Sequence, residues 1–245
     1  MLDTRQYGRD KQLQPKDYLS ESGFNQAKFY NDLNSKNREL LGAEQLSWIE
    51  NSVLKSNAAW TIFGQQVLMA KLKFPDISKM LKTEEIPNFL KPYLKFLGLG
   101  IPSNLDAWDG YPAARNSLYK LMKNAKKKFI SLAGDTHNSW VSELENQSGK
   151  KVGIELGAPS VTSPGITDIL NLDQNKFVDS IVKINKELQW MDPSNRGYLF
   201  LNCMENKIIA SFNFIKELDN INSEISSSQS FVIYREGLEL KEIKA

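Results

Sequence analysis

The stretch FISLAGDTH at residues 129–137 carries the strongest indication of both the fold and a functional site. Phe129–Ala133 is a short apolar run that ends at Gly134, a pattern typical of a buried central strand. Asp135 and His137 follow at once, so two side chains that can bind metal ions lie at the carboxyl end of this strand. Ligands of open α/β sheets bind at that edge. Because residues i and i+2 of an extended segment point the same way, we expect Asp135 and His137 to face one centre.

By itself, the Asp-x-His pattern is weak evidence for a metal site. A carboxylate can bridge two cations, and the neutral imidazole ring is a common metal ligand. However, His137 is the only histidine of the chain, and a lone histidine more often has a structural role. One aspartate and one histidine cannot complete the coordination shell of a cation, so the other ligands must come from elsewhere.

Upstream of this stretch, the sequence predicts a helix, a strand, a long loop and a second helix. Apolar residues three and four positions apart predict a helix from Gly42 to Ser56. Its apolar side is formed by Leu46, Ile49, Val53 and Leu54. The β-branched and aromatic run Trp60–Met69 predicts a buried strand, and the five prolines between residues 73 and 113 predict a loop. Ala113–Lys127 again has helical spacing.

Downstream, the sequence predicts several strands and one more helix. The strands are predicted at Val152–Leu156, Tyr198–Cys203, Ile208–Phe214 and Phe231–Tyr234. Helical spacing is shared by Phe177, Ile181, Ile184 and Leu188. The second and third of these strands are predicted to form a hairpin, and Ser226–Ser228 a linker before the last one. Since helices and strands alternate, the predicted fold class is α/β with mixed α+β layers.

The composition of the 245-residue chain argues against several classes of function. With 31 basic and 29 acidic residues the net charge is +2, which disfavours a nucleic-acid partner. Cys203 is the only cysteine, so no intrachain disulfide can form, and its apolar surroundings predict a buried strand residue instead of a nucleophile. No stretch approaches the ~20 apolar residues of a membrane span. The first residues also lack the apolar core of an export signal.

Three further short motifs are candidates for a role in a site. Asp3-Thr4-Arg5 is predicted to end a strand, where the arginine fork suits phosphate oxygens, with a surface ion pair as the alternative. The segment Trp108–Pro112 predicts a turn with a packed aromatic anchor, and lining of a site is the alternative. Gly64-Gln65-Gln66 predicts either a close backbone approach or a bulge in a strand.

Six segments, taken in order, are more specific than any single motif. They are LDTRQYGRD (2–10), LGAEQLSWIENSVLKSNAAWTIFGQQVLMA (41–70), DAWDGYPAAR (106–115), SLAGDTHNSWVSEL (131–144), IELGAPSVTSPG (154–165) and RGYLFLN (196–202). In this order and spacing they resemble the metallophosphatase domain of the PhoD-like alkaline phosphatases. The resemblance covers about residues 1–215, and we expect residues 1–245 to form the C-terminal portion of one such domain.

The resemblance implies a fold, an activity and a cellular location. The fold is a calcineurin-like metallophosphatase β-sandwich flanked by helices. The activity is the hydrolysis of small phosphomonoesters and phosphodiesters with iron and calcium as cofactors. The location is periplasmic or extracellular, reached by the twin-arginine route.

The resemblance also assigns residues and leaves gaps. It implies that Asp135 and His137 are the late metal ligands of the family, and it gives Arg5 a substrate-binding role; catalytic residues are not assigned. The family's earlier ligands are a Cys, an Asp followed by a Tyr, and an Asn, and none of these precedes Asp3. We therefore expect an N-terminally incomplete phosphatase domain that opens at the end of a strand. The alternatives are an active hydrolase completed by ligands from elsewhere, a non-catalytic phosphatase fragment and a phosphate-binding remnant.

Overall fold

The computed structural model describes residues 1–75, 77, 99–170 and 172–243 of the chain. Within these ranges the chain forms two large β-sheets, a small hairpin and five α-helices. The small hairpin pairs Leu19–Ser20 (β1) with Gly23–Phe24 (β2). None of the helices in the described ranges has both the length and the apolar character needed to cross a bilayer.

The helices begin where the sequence supplies a cap or a proline. They span Gln26–Leu33 (α1), Ala43–Lys55 (α2), Pro112–Asn124 (α3), Ile166–Leu170 (α4) and Gln174–Ile184 (α5). The side chains of Asn25 and Asp173 accept hydrogen bonds from the first turns of α1 and α5. These bonds satisfy backbone N–H groups that have no partner inside the helix. Pro112 lies in the first turn of α3, where its missing N–H is not needed.

The larger sheet places the candidate site at one edge. Its strands are Ile62–Gly64 (β3), Phe129–Ala133 (β4), Ser139–Glu145 (β5), Lys151–Gly157 (β6) and Leu188–Asp192 (β7). They are ordered β3-β4-β6-β5-β7. β4 is parallel to both β3 and β6, whereas β5 is antiparallel to its two neighbours. The carboxyl ends of β3, β4 and β6 therefore meet at the same edge.

The second sheet is an antiparallel meander that packs face to face on the first. It consists of Gly197–Cys203 (β8), Lys207–Ile215 (β9), Ile225–Tyr234 (β10) and Glu239–Ile243 (β11), in that order. Alternate residues of β9 are buried, so the sheet has one apolar face. Phe212 and other residues of that face form a single core with Ile130, Val141 and Ile154 of the larger sheet. The two sheets thus form a β-sandwich.

Helices cover the opposite face of the larger sheet. Buried residues of α2, α3 and α5 share one core with Phe129, Trp140 and Leu144 of the sheet. These helical residues are Ile49, Val53, Leu118, Met122, Phe177 and Ile181. The structure therefore confirms a mixed α/β fold in which a sandwich is flanked by helices.

The sequence prediction was wrong at the edges of two helices. Leu54 was placed on the apolar side of α2, but it is 61% exposed. The helix predicted to reach Leu188 ends at Ile184. The amide of Asn185 donates to the carbonyl of Ile181 at 2.8 Å and ends the helix, and Leu188 begins β7 instead.

Several strand predictions were also wrong. Cys203 is exposed, because it ends β8 at the open edge of the smaller sheet. Ser226–Ser228 is not a linker, since it belongs to β10 and pairs with β9. The predicted strand end at Met1–Asp3 is not formed, and Leu2 N–H makes one backbone bond to Gly64 O at 2.8 Å. The strand predicted over Trp60–Met69 is reduced to β3.

The proline-rich region and several unpredicted strands also differ between the sequence prediction and the structure. Of the loop predicted over residues 73–113, residues 76 and 78–98 lie outside the described residues. The remainder holds a 3-10 turn at Trp108–Gly110 and the start of α3. The strands β1, β2, β5, β7 and β11 were not predicted.

Candidate metal and phosphate site

The two candidate metal ligands lie in a tight turn directly after β4. Asp135 and His137 have backbone φ angles of 72° and 61°, in the left-handed region. This conformation is uncommon outside glycine, although Asp and His adopt it more readily than most residues. The segment is therefore not extended. The prediction that both side chains face one centre assumed an extended backbone, and that assumption was wrong. Thr136 holds the turn, because its hydroxyl accepts from Trp140 Nε1 at 2.7 Å and its carbonyl from Asn138 Nδ2 at 2.6 Å.

The loop after β6 fixes the tautomer of His137. The ring atom Nδ1 lies 3.1 Å from the carbonyl oxygen of Pro164. Because a carbonyl oxygen can only accept, Nδ1 carries the proton. The lone pair of the neutral ring then lies on Nε2, and hydrogen bonds of this kind are what orient metal-binding histidines. In its neutral form, His137 thus presents the lone pair of Nε2, and its role as a ligand stays a prediction.

Arg5 connects the N-terminal segment to Asp135. Its guanidinium donates a hydrogen bond from Nη2 to the carboxylate of Asp135 and another from Nη1 to the carboxylate of Asp106. Both terminal nitrogens are therefore paired. Asp106 also accepts from Arg9, whose guanidinium lies 5.0 Å above the ring of Tyr111. Burial lowers the pKa of Arg5, but its two carboxylate partners outweigh this effect and raise it. Arg5 is therefore a fixed positive charge beside Asp135.

Gln66 holds the N-terminal segment at the edge of the larger sheet. Its Oε1 accepts from the N–H of Thr4 at 2.8 Å and from the hydroxyl of Thr4 at 2.6 Å. Its Nε2 donates to the carbonyl of Leu2 at 3.1 Å. Thr4 is fully buried, so these hydrogen bonds fix the position of the backbone from which the side chain of Arg5 extends. The motif Gly64-Gln65-Gln66 is not a bulge within a strand, because β3 ends at Gly64. The predicted alternative of a close approach agrees with the structure, since the N–H of Leu2 donates to the carbonyl of Gly64 at 2.8 Å and a Cβ on Gly64 would collide with the side chain of Met1.

A buried carboxylate, Glu155, fastens the chain that follows β3. It lies in the middle of β6 and is completely buried. Its oxygens accept from the N–H groups of Met69 at 2.7 Å and Ala70 at 2.8 Å, and from the hydroxyl of Ser131 at 2.9 Å. The amide of Gln65 donates to the same hydroxyl at 2.7 Å. Burial raises the pKa of Glu155 to about 7, although its hydrogen bonds act in the opposite direction.

Side chains, and not a neighbouring strand, bind five successive N–H groups of the Met69–Lys73 segment. After the two that Glu155 accepts, the N–H groups of residues 71, 72 and 73 donate to Glu187, Asp109 and Asn185 at 2.9, 2.8 and 2.7 Å. Asp109 in turn pairs with the buried Arg115 at 2.7 Å. No sequence pattern had indicated a role for four of these side chains, those of Glu155, Glu187, Asn185 and Arg115. The alternation of apolar residues at 68, 70, 72 and 74 was the signal of an extended segment with one covered side.

The motif at Trp108–Pro112 also supports this segment. Trp108 and Tyr111 are both fully buried, which confirms the packed aromatic anchor. Trp108 Nε1 donates to Gln65 Oε1 at 2.6 Å, and Tyr111 donates its hydroxyl to the carbonyl of Asp10 at 2.7 Å. The anchor therefore connects the loop after β3 with the N-terminal segment.

Comparison with known proteins agrees with this architecture. The sequence model of the PhoD-like phosphatases matches residues 1–212. The chain belongs to this family. Alkaline phosphatase D of Bacillus subtilis (strain 168) is 28% identical over 250 residues, which cover 100% of this chain and 37% of that protein. A solved structure of PhoD matches with a TM-score of 0.72 at 26% identity, covering 100% of this chain and 41% of that one. The resemblance predicted from the six segments is confirmed, and the chain spans well under half the length of these relatives.

The described part of this PhoD-like chain offers two donors for a cation. Carboxylate oxygen suits calcium, and both carboxylate and imidazole suit iron. By donor type, the carboxylate of Asp135 and the imidazole of His137 suit such cations, and their role as ligands stays a prediction. The described residues contain no group of three or more His, Cys, Asp or Glu side chains that could hold a metal ion. The remaining positions of a coordination shell are not supplied by this part of the chain.

Proposed function

We propose that this chain contributes to a metal-dependent phosphoester hydrolase in which hydroxide attacks phosphorus and phosphate is released. Membership of the PhoD-like phosphatases supports the reaction class. The local observation that carries the proposal is the turn after β4. There the contact with Pro164 leaves the lone pair of His137 on Nε2, and the guanidinium of Arg5 lies on Asp135.

Asp135 and His137 are the proposed metal ligands, and iron and calcium the proposed metals. When bound, such cations supply an activated water and neutralise charge on the phosphoryl oxygens. The other donors of the site come, in this proposal, from outside the described residues.

Arg5 is the proposed phosphate-binding residue. A guanidinium fork matches two phosphate oxygens, and its charge persists at every physiological pH. In the structure, one terminal nitrogen of the guanidinium forms an ion pair with Asp135 and the other forms one with Asp106. On substrate binding, the nitrogen paired with Asp135 turns to a phosphoryl oxygen while Asp106 keeps the group in place. Small phosphoesters are the proposed substrates, and a periplasmic or extracellular location stays a prediction of the family resemblance.

A second candidate is phosphate binding without turnover. It is favoured by the small number of metal-capable side chains that the described residues bring together. In this case the guanidinium of Arg5 would hold inorganic phosphate, and no ester would be cleaved. The two candidates differ in a single measurable property, the release of the leaving group.

The test combines metal content with hydrolysis of p-nitrophenyl phosphate by the purified 245-residue chain supplied with iron and calcium. Bound metal and turnover that are both lost in His137→Ala would support the hydrolase. The matched control is Asn202→Ala, an exposed position on β8 of the other sheet. Turnover that is unchanged in His137→Ala would refute the assignment of His137. Phosphate binding by a folded chain without turnover would favour the second candidate.

A further inference from the structure

We propose that a cavity beside His137 binds the apolar organic group of a phosphoester, an inference that rests on the proposed function. The cavity has a volume of about 460 Å³, which lies in the range of roughly 300–1,000 Å³ typical of small-molecule sites. Thr136, His137 and Asn138 line one side of it, whereas Arg5 and Asp135 do not line it. Because Thr136 and His137 line the cavity and directly follow Asp135 in the same turn, a phosphoester whose organic group fills the cavity would have its phosphate beside this turn.

The chemistry of the walls favours an apolar group over the phosphate itself. Apolar side chains from both sides of the cavity include Leu68, Leu72, Phe74, Trp140 and Ile166. The carboxylate among the described lining residues is Asp109, and both of its oxygens are already used, by Arg115 and by the N–H of Leu72. No lysine or arginine lines the cavity within the described part of the chain. An anion inside it would lack a counter-charge, whereas an aromatic or alkyl group would lose only water contacts.

One wall of the cavity is fixed before any ligand binds. Residues 68, 70, 72 and 74 all line the cavity. They belong to or flank the Met69–Lys73 segment, whose five N–H groups are bound by Glu155, Glu187, Asp109 and Asn185. Because these hydrogen bonds already order the segment in the free protein, binding of a ligand does not require further loss of its conformational entropy. The cavity is thus a preformed site and not a collapsed gap.

Ile169 offers a variant that changes the cavity without disturbing the core. It lines the cavity, lies in the short helix α4 and is 41% exposed. Ile169→Asn removes an apolar contact at the rim. The matched control is Ile225→Asn, since Ile225 is 53% exposed and begins β10 in the other sheet. Circular dichroism of both variants establishes that they are folded.

Calorimetric titration of the 245-residue chain with 1-naphthyl phosphate and with inorganic phosphate tests the inference. We expect 1-naphthyl phosphate to bind at least about tenfold more tightly than inorganic phosphate, because its ring buries apolar surface. Ile169→Asn should weaken the binding of 1-naphthyl phosphate by about fourfold to fifteenfold, which corresponds to one or two lost methyl contacts. It should leave the binding of inorganic phosphate unchanged, and Ile225→Asn should change neither.

Three results would overturn the inference: equal affinity for the two ligands, equal effects of the two variants, or no binding of 1-naphthyl phosphate. Hydrolysis distinguishes this inference from the proposed function. If 1-naphthyl phosphate is hydrolysed and Ile169→Asn alters neither binding nor KM, the cavity assignment fails while the hydrolase stands. If binding depends on Ile169 but no ester is cleaved with iron and calcium supplied, the cavity assignment stands while the hydrolase fails.

Discussion

Glu155 is expected to make the chain less stable as the pH rises toward neutrality. The carboxyl group is completely buried and accepts hydrogen bonds from Met69, Ala70 and Ser131. Among the described residues it has no ion-pair partner. Substitution of Glu155→Gln removes the titrating group and keeps its shape. Because only the change of stability with pH is compared, any pH-independent loss of hydrogen bonding in Glu155→Gln cancels.

The sign and size of the effect follow from the pKa of Glu155. Burial raises this pKa from 4.5 to about 7, so between these values the folded chain keeps a proton that the unfolded chain has released. The contribution of Glu155 to stability is therefore largest below about pH 4.5 and falls until the pH exceeds about 7. A difference of about 2.5 units at about 1.36 kcal/mol per unit corresponds to roughly 3 kcal/mol.

Urea unfolding followed by circular dichroism at about pH 5 and about pH 8 measures this contribution. Between the two pH values, the free energy of unfolding of the wild type should fall by roughly 2.5 kcal/mol more than that of Glu155→Gln, because part of the full difference is already lost below about pH 5. Glu205→Gln is the control, since Glu205 is exposed at the β8–β9 turn and should behave like the wild type. If the wild type and Glu155→Gln show the same change with pH, the reasoning about burial is refuted.

Three further perturbations test the other interactions. Arg115→Met should lower the free energy of unfolding by about 3–5 kcal/mol, because it leaves Asp109 buried without its cation; a loss below about 1 kcal/mol in urea titration would contradict this. Gln66→Ala should speed the hydrogen exchange of the Thr4 amide, and unchanged exchange there would show that the segment is held by other contacts. Arg5→Lys should raise KM for p-nitrophenyl phosphate by about tenfold, because lysine lacks the fork and loses one charge-assisted hydrogen bond; an unchanged KM in steady-state kinetics would exclude Arg5 from binding phosphate.

The parts of the fold that sequence predicted well are those where one local pattern decides the structure. β4 is a run of apolar residues ended by Gly134, and such a run has few structural alternatives. β5 was missed because the sequence SWVSELE contains serine and glutamate at positions that are buried or half-buried between the two layers. The helix before β7 was predicted too long because Leu188 continues its spacing, and only the side chain of Asn185 ends it.

The contacts of the candidate site residues were not predicted from the sequence. Arg5 reaches Asp106 and Asp135 across 101 and 130 positions of sequence, and no local pattern encodes that meeting. The left-handed turn at Asp135 and His137 was also missed, although both residue types tolerate this conformation. The rule that residues i and i+2 point the same way holds only for an extended backbone. It therefore could not predict the directions of the Asp135 and His137 side chains.

The Met69–Lys73 segment shows why buried charge and the cavity occur together in this fold. Residues 68, 70, 72 and 74 of or beside this segment line the cavity. In the described structure its five N–H groups are bound by side chains and not by a strand, so acceptors in the interior must satisfy them. The cost is three buried carboxylates. Asp109 and Glu187 are compensated by Arg115 and Lys71, whereas Glu155 has no ion-pair partner in the described structure. The same arrangement that shapes the cavity therefore makes Glu155 the group whose ionisation destabilises the chain.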